Sequence, residues 1–263
     1  MSRPLPLAQA ALGKVRAVFA DVDGTLTTGG RLTSTVLRAI EWLAAHRVQV
    51  VLVSGRPAGW GECWARQLPV AGVIAENGGL TFARSRLGLR KEYPEDEGLR
   101  LRNRARLTRI VAAAIKNTKG SKLSTDSGAR EVDLAIDYAE EAKLGPRAAD
   151  SLEAFLRARG VTAVRSSVHV NCWLGGFDKR SAVKDFLLRQ WKVRLHPVDP
   201  RFVYVGDSFN DAPMFAAFSL SVGVANVLDV LDRLDDPPKF ITRAREGSGF
   251  CELVDAIAHA RRT

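Results

Sequence analysis

Residues 15–25, VRAVFADVDGT, form the stretch that decides the fold. Its first six residues are mostly apolar, with valines and a phenylalanine, as is typical of a buried strand. Asp21 and Asp23 follow, two positions apart on a backbone that leaves the strand. Gly24 lets that backbone curl, so both carboxylates can approach one point. Close carboxylates repel each other unless a cation or a shared proton compensates, so the stretch predicts either a cation site or an ordinary capped strand end.

The same alternation of apolar runs and amphipathic segments continues outward from this strand. Apolar runs at Val48–Val53, Gly72–Ala75 and Phe202–Gly206 are separated by stretches with helical spacing. This alternation is typical of βαβ units and a parallel sheet. The sequence therefore predicts an α/β fold with a Rossmann-like parallel-sheet core.

The pattern changes between Leu80 and Gly176. Alternating, hairpin-like strands flank a turn at residues 126–128, and helical segments are predicted at Leu99–Ile115 and Ala148–Arg159. A length of about a hundred residues fits a small domain. We therefore predict an inserted α+β cap domain at residues 83–175, between two parts of the core at residues 1–82 and 176–263.

Composition narrows the class of protein. The chain has 263 residues, a formal net charge of +10 and three cysteines without a paired spacing. This favours a cytoplasmic protein whose thiols are reduced. Apolar runs are too short to span a bilayer, and the first residues predict a loose arm rather than a signal peptide. The arginines around 100–109 lack interleaved aromatics, so a solvated helix face is favoured over nucleic-acid binding.

Polar residues follow the other predicted core strands as well. Asp207 stands at the end of one strand, and Asp211 lies near the start of the following helix. Ser54-Gly55-Arg56 follows another strand with a hydroxyl and backbone N–H groups that can hold a phosphate oxygen. Lys179 is the first residue of a predicted helix. A cation is unfavourable at the positive end of the helix dipole, so its position there indicates a nearby anion. Since the carboxyl ends of parallel strands meet at one edge, these groups predict a joint site.

In this order, the segments 21–25, 54–57, 179 and 206–211 resemble the four motifs of the haloacid dehalogenase superfamily of phosphohydrolases. The resemblance implies that Asp21 is a nucleophile forming an aspartyl-phosphate and that Asp23 is the general acid and base. It also implies a Mg²⁺ site and a phosphoryl site. Their residues would be Asp21, Asp23, Asp207 and Asp211 for the ion, and Ser54, Gly55, Arg56, Lys179 and Asn210 for the phosphoryl group.

The position of the insert resembles the subgroup with an α/β cap, which includes sugar phosphatases. The motifs are most similar to those of mannosyl-3-phosphoglycerate, sucrose- and trehalose-phosphate phosphatases, although Arg180 stands where a glycine often follows the lysine. The leading expectation is therefore hydrolysis of a small phosphorylated metabolite. A phosphotransferase or phosphomutase that uses the same aspartyl-phosphate, and an inactive basic nucleic-acid-binding or scaffold protein with the same fold, remain alternatives. Candidate substrate-reading residues of the cap, for each of which a surface or packing role is the favoured interpretation when it is taken alone, are Lys119, Lys122, Asp126, Arg130, Glu131, His169, Asn171 and Trp173.

Overall fold

The computed structural model describes residues 3–85, 87–166, 168–196 and 198–262. The strands in these ranges are β1 (Leu5–Pro6), β2 (Ala17–Ala20), β3 (Thr27–Thr28), β4 (Arg31–Leu32), β5 (Gln49–Val53), β6 (Gly72–Ala75), β7 (Leu80–Ser85), β8 (Gly88–Glu92), β9 (Lys122–Leu123), β10 (Leu134–Asp137), β11 (Thr162–Arg165), β12 (His169–Trp173), β13 (Phe202–Gly206), β14 (Leu220–Gly223) and β15 (Phe240–Ile241). The helices are α1 (Ser34–Ala45), α2 (Ala58–Gln67), α3 (Glu97–Asn117), α4 (Pro146–Arg157), α5 (Lys179–Trp191), α6 (Ala212–Ala217) and α7 (Glu246–Ala260).

The larger sheet has the strand order β1-β15-β14-β13-β2-β5-β6-β7-β8. Its strands run parallel from β1 to β6, and β7 and β8 add an antiparallel edge. The central strands β2, β6 and β13 are buried along their whole length. Helices cover both faces of such a sheet, which explains why these strands have continuous apolar runs instead of alternation.

Two hydrophobic clusters sandwich this sheet. On β2, Val18 and Ala20 point into a cluster with α1, α2 and α7, whereas Ala17 and Phe19 point into a cluster with α5 and α6. Successive strand residues face opposite sides, so one strand anchors both layers. The sheet is therefore held rigidly in the middle of the core, and its strand ends have fixed positions.

The smaller sheet is antiparallel, with the strand order β11-β12-β10-β9. Helices α3 and α4 pack on one of its faces in a separate hydrophobic cluster. Its other face looks toward the carboxyl ends of the core strands. We call this sheet and its two helices the cap. Its hairpin β9–β10 spans the turn that the sequence predicts, and the architecture is the predicted parallel-sheet core with an inserted α+β cap.

Some predicted details differ from the structure. The expected loose N-terminal arm is wrong for residues 5–12, because Leu5–Pro6 pairs with β15 and both Leu7 and Leu12 are buried. Strand β8 lies inside the range predicted for the cap but pairs within the larger sheet. Among the described residues, no helix combines the length and the apolar character that crossing a membrane requires.

Candidate active site

The carboxyl ends of three adjacent core strands carry the polar residues predicted from the sequence. Asp21 follows β2, Ser54 follows β5 and Asp207 follows β13. All three side chains are buried. Because β13, β2 and β5 are neighbours in the sheet, their ends bring these residues together at one edge.

Lys179 is the buried cation of this edge. It is the first residue of α5, whose N-cap Asp178 forms a reciprocal capping box with Ser181. The Lys179 Nζ atom donates to Asp21 Oδ1 at 2.7 Å and to Asp211 Oδ1 at 2.8 Å. Burial acts to lower the pKa of Lys179, but the two carboxylates outweigh burial and raise it. The ammonium group is therefore charged, which explains why a lysine stands at a helix N-terminus.

A cluster of three buried carboxylates lies beside that lysine, and two of them accept from it. Oxygen atoms of Asp21, Asp207 and Asp211 all lie within 4.8 Å of one another. Burial and the neighbouring carboxylates raise the pKa of Asp21, against the effect of Lys179. Burial first, and Asp211 second, raise the pKa of Asp207 to about 8. One ammonium cannot neutralise three carboxylates, and oxygen donors in this arrangement fit a hard divalent cation.

The carboxylate of Asp211 is fully occupied by protein donors. Its Oδ1 atom accepts from Lys179 and, at 2.5 Å, from the hydroxyl of Tyr204. Its Oδ2 atom accepts from the backbone N–H groups of Asp207 and Ser208 at 2.9 and 3.1 Å. Asp211 therefore orients the lysine and the Asp207 loop, and Asp21 and Asp207 have more capacity left for an ion.

Asp207 is held by two donors from other parts of the chain. The Thr25 hydroxyl donates to Oδ1 and the Asn226 amide to Oδ2, both at 2.9 Å. Gly24, at φ +76°, lies so close that a Cβ atom there would be 2.5 Å from Asp207 Oδ2. The glycine after Asp23 is therefore required by both its left-handed backbone and the close approach of the carboxylate.

Asp23 and Arg56 form a bidentate ion pair beside the buried cluster. Arg56 Nε and Nη2 donate to the two carboxylate oxygens of Asp23, each at 2.9 Å. The Ser54 hydroxyl oxygen accepts from the backbone N–H of Arg56 at 3.0 Å. Asn210 accepts from the Ser208 hydroxyl at 2.7 Å. The Arg56 guanidinium therefore already binds Asp23. The predicted contact between Arg56 and a phosphoryl group would be a further interaction of the same guanidinium.

A small chamber, with a volume of about 30 Å³, lies between this site and the cap. Two larger clefts of about 540 and 490 Å³ flank it along the boundary between cap and core. The chamber therefore connects the candidate nucleophile with cap side chains. Its walls are formed by Asp21, Asp23, Gly55, Arg56, Arg130, Ser166, Val168, His169, Asn171, Ser208 and Asn210.

The structure places the cap candidates from the sequence in different environments. Lys119 and Lys122 are exposed, and Trp173 is buried in packing, stacked on Phe177 with ring centroids 5.8 Å apart. Glu131 lies outside the chamber and accepts from Lys91. Asp126 pairs with Arg130 at the chamber wall. Only Arg130, His169 and Asn171 are both candidates and chamber-lining residues among those described.

The sequence assigned no supporting role to Thr25, Tyr204, Asn226 or Glu76, although Glu76 stands at a predicted strand end. Thr25 and Tyr204 stand inside segments already marked as strand ends, so their positions offered a signal. Asn226 lies in a 3₁₀ turn after β14 and Glu76 reaches the cap across 55 positions of the chain. No spacing rule connects such distant partners, so only the fold reveals them.

Comparison with known proteins gives a consistent result. A family model described as haloacid dehalogenase-like hydrolase matches residues 18–125. A phosphoglycolate phosphatase from Haloarcula marismortui is 28% identical over 253 residues, covering 90% of this chain and 95% of that protein. A second, from Methanosarcina mazei, is 24% identical and covers 93% of this chain and 97% of its own length.

Solved structures show the same fold. The Thermoplasma acidophilum protein 0175 superposes with a TM-score of 0.71 at 20% identity, covering 93% of this chain and 98% of that one. These matches and the family model confirm the resemblance to the haloacid dehalogenase superfamily, the fold class and the prediction of an enzyme of the phosphatase class.

Proposed function

We propose that this haloacid dehalogenase-like hydrolase is a Mg²⁺-dependent phosphomonoesterase that acts through an aspartyl-phosphate on Asp21. The observation that supports this most strongly is the position of the Asp21 carboxylate. It is buried, paired with Lys179 at 2.7 Å, and exposed to a chamber that Asp23 also lines. A carboxylate is a weak nucleophile, so this chemistry depends on positioning and charge neutralisation, which the site provides.

In the first step, a carboxylate oxygen of Asp21 forms a bond to phosphorus while the bond from phosphorus to the alcohol oxygen breaks. Asp23 gives its proton to the departing alcohol oxygen. Lys179 offsets the negative charge that builds up on the phosphoryl oxygens. The Ser54 hydroxyl and the backbone N–H of Gly55 would hold the phosphoryl group beside Asp21, because the next N–H, that of Arg56, already donates to the Ser54 hydroxyl oxygen.

In the second step, water attacks the phosphorus of the aspartyl-phosphate. The carboxylate of Asp23 takes the proton of that water, and the bond between phosphorus and the Asp21 oxygen breaks. Phosphate leaves and both aspartates return to their starting forms. The Arg56 fork orients the Asp23 carboxylate that takes the proton of the water, and one of its two hydrogen bonds would give way when Asp23 carries a proton.

The donor set fits Mg²⁺. Asp21 and Asp207 would hold the ion with the backbone carbonyl of Asp23, and Asp211 would support them from behind. When bound, the ion supplies positive charge that stabilises the phosphoryl oxygens in the transition state. Manganese or cobalt would accept the same oxygen ligands.

The substrate class is a small phosphorylated metabolite, proposed from the cap and the comparisons. We propose a sugar phosphate or a glycosyl-3-phosphoglycerate, and the names of the curated relatives add phosphoglycolate as a candidate. A sucrose-phosphatase from Synechocystis has the same fold, with a TM-score of 0.65 at 18% identity over 94% of this chain and 98% of that one. A cytoplasmic location is also proposed, on the basis of the three separated cysteines.

Phosphate release from p-nitrophenyl phosphate and from alkyl phosphates tests this function. Asp21→Asn should lower kcat by about 10³-fold or more for every substrate, with unchanged circular dichroism. Asp23→Asn should lower it less for p-nitrophenyl phosphate, whose leaving group needs no proton, than for an alkyl phosphate. Asp255→Asn, at an exposed position of α7, is the matched control. Full turnover by Asp21→Asn, or activity that survives EDTA, would refute the proposal.

A further inference from the structure

The inner face of the cap is defined by alternation along β12. Val170 and Cys172 point into the hydrophobic cluster of the cap itself, with α3 and α4. Trp173 packs with the core cluster on the opposite side. His169 and Asn171 share the face of Trp173, because alternate strand residues point the same way. Both line the chamber, so β12 presents an imidazole and an amide to the reacting group.

Asn171 is an unsatisfied polar group at the chamber wall. Its side chain is 3% exposed and its Oδ1 atom has no hydrogen-bond partner. A Cβ atom on Gly55 would be 3.2 Å from Asn171 Nδ2, so the amide lies directly against the phosphate-binding turn. A buried amide oxygen without a donor is costly, and a ligand with a hydrogen-bond donor would remove that cost.

The arginines beside this amide are already paired with carboxylates. Arg130 donates to Asp126, to Asp133 and to the carbonyl oxygen of Gly55. Arg56 holds Asp23, with a carboxylate oxygen of Glu140 3.7 Å from its Nη2 atom.

His169 adds no free positive charge. Its Nε2 atom lies 2.8 Å from Glu140 Oε2, and burial lowers the pKa of the imidazole although Glu140 opposes this. Among the described residues that line the chamber, no arginine lacks a carboxylate partner. A second anion would therefore meet Asp126 and Glu140 without an unpaired cation to receive it.

We propose that Asn171, together with His169, determines specificity by binding an uncharged, hydroxyl-bearing part of the leaving alcohol. A hydroxyl group both donates and accepts, so it satisfies the orphaned Asn171 oxygen and can reach the imidazole. A carboxylate has no proton to donate and leaves that oxygen unsatisfied. This inference rests on the proposed phosphomonoesterase activity and separates the chain from relatives named for phosphoglycolate.

A size-matched substrate pair tests the choice between hydroxyl and carboxylate. 2-Hydroxyethyl phosphate and 2-phosphoglycolate differ only in a CH₂OH against a carboxylate group, and ethyl phosphate has neither. We expect kcat/KM for 2-hydroxyethyl phosphate to exceed both others by about tenfold or more, because only this substrate pairs with the buried amide. Faster turnover of 2-phosphoglycolate than of 2-hydroxyethyl phosphate would overturn the inference and leave the phosphatase function intact. If no phosphomonoester, including p-nitrophenyl phosphate, is hydrolysed, the proposed function itself fails, and the inference with it.

Substitutions of Asn171 test whether this residue causes the preference for 2-hydroxyethyl phosphate. Asn171→Ala should raise KM for 2-hydroxyethyl phosphate by about tenfold and bring its kcat/KM close to that of ethyl phosphate. Asn171→Asp keeps an acceptor for the hydroxyl and should retain the preference for 2-hydroxyethyl phosphate over 2-phosphoglycolate. Asn103→Ala is the matched control, since Asn103 donates to Glu95 on the far side of the cap. A preference unchanged in Asn171→Ala would show that other residues set it.

Discussion

At the residue scale, the site depends on partners that keep each carboxylate in place. Asp207 is held by Thr25 and Asn226, and Asp211 by Lys179 and Tyr204. Ionised groups in a buried site need such donors, because an unpaired buried carboxylate is strongly disfavoured. The site therefore includes residues that would not touch a substrate but hold the carboxylates in place.

Thr25→Val tests the donor to Asp207. Valine has almost the same shape, so the change removes the 2.9 Å hydrogen bond without leaving a cavity. Because the pKa of Asp207 is raised to about 8, the comparison is made at about pH 9, where the acceptor is ionised. A hydrogen bond to a charged group contributes about 1.5–3 kcal/mol, so the free energy of unfolding should fall by about that amount. The Mg²⁺ concentration for half-maximal activity should rise. Urea unfolding and Mg²⁺ titration measure both effects.

The control for this variant is Thr28→Val, at the exposed end of β3. It should leave both quantities unchanged. If Thr25→Val matches wild type in unfolding free energy and Mg²⁺ response, the hydroxyl does not stabilise Asp207.

At the element scale, one side chain joins the end of β6 to the cap. The carboxylate of Glu76 accepts four backbone N–H groups, from Ala58 at the start of α2 and from residues 131–133 of the cap. Burial and the nearby Asp133 raise the pKa of Glu76 to about 7, against the effect of the cap N–H groups. The strand end, a core helix and the cap are therefore linked through one titrating group.

This linkage predicts a pH dependence of stability. The ordinary pKa of a glutamate, 4.5, applies to the unfolded chain, so the folded state binds the proton more tightly. The resulting stabilisation is fully present below about pH 4.5 and is lost as pH rises through about 7. Its size is about 3 kcal/mol for the difference between the two pKa values.

Urea unfolding at pH 5 and pH 8 measures this contribution as a difference between wild type and Glu76→Gln. Glutamine does not titrate, so the variant should lose about 2–3 kcal/mol less than wild type between the two pH values. Glu62→Gln, on the exposed side of α2, should behave like wild type. Equal losses in wild type and Glu76→Gln would exclude Glu76 as the source.

At the scale of the whole molecule, the sequence predicted the core strands and the residues at their ends better than it predicted contacts between residues far apart in the chain. Apolar runs ending in polar residues identified β2, β5 and β13, and parallel pairing then required Asp21, Ser54 and Asp207 to meet. The Arg56–Asp23 pair and the link from Glu76 to the cap were not predicted. Both join residues far apart in sequence: the first pair meets because β2 and β5 end side by side in the core, and the second depends on how cap and core are packed.

Because such contacts depend on packing, the sequence named candidate substrate-binding residues of the cap but did not show which of them face the site. The sequence offered eight polar or aromatic candidates, and periodicity along β12 left the direction of His169 open. Only the packing of Val170 and Cys172 against the cap helices turns His169 and Asn171 toward the core. The residues proposed for chemistry follow from motifs, whereas the residues proposed for specificity required the three-dimensional arrangement.

The excess of buried negative charge makes the stability of the whole chain depend on a divalent cation. Asp21 and Asp211 share the ammonium of Lys179 and Asp207 lies close to both carboxylates, so an ion that binds the folded state alone should stabilise it. At a hundred times its dissociation constant, such an ion contributes about 2.7 kcal/mol. For a chain of this length, the thermal midpoint in Mg²⁺ should therefore exceed that in EDTA by roughly 5–10 °C.

Asp207→Asn should remove this Mg²⁺-dependent shift, since the amide keeps the size of the side chain but offers the ion no charge. Its midpoint in EDTA should stay close to that of wild type, because the lost carboxylate also relieves repulsion from Asp21 and Asp211. Asp229→Asn, an exposed residue paired with Arg245, should retain the full shift. Scanning calorimetry at two Mg²⁺ concentrations distinguishes a specific site from general screening of charge, since screening would shift all three proteins equally. A full shift in Asp207→Asn would mean that the ion binds elsewhere, and the assignment of Asp207 as a ligand would be wrong.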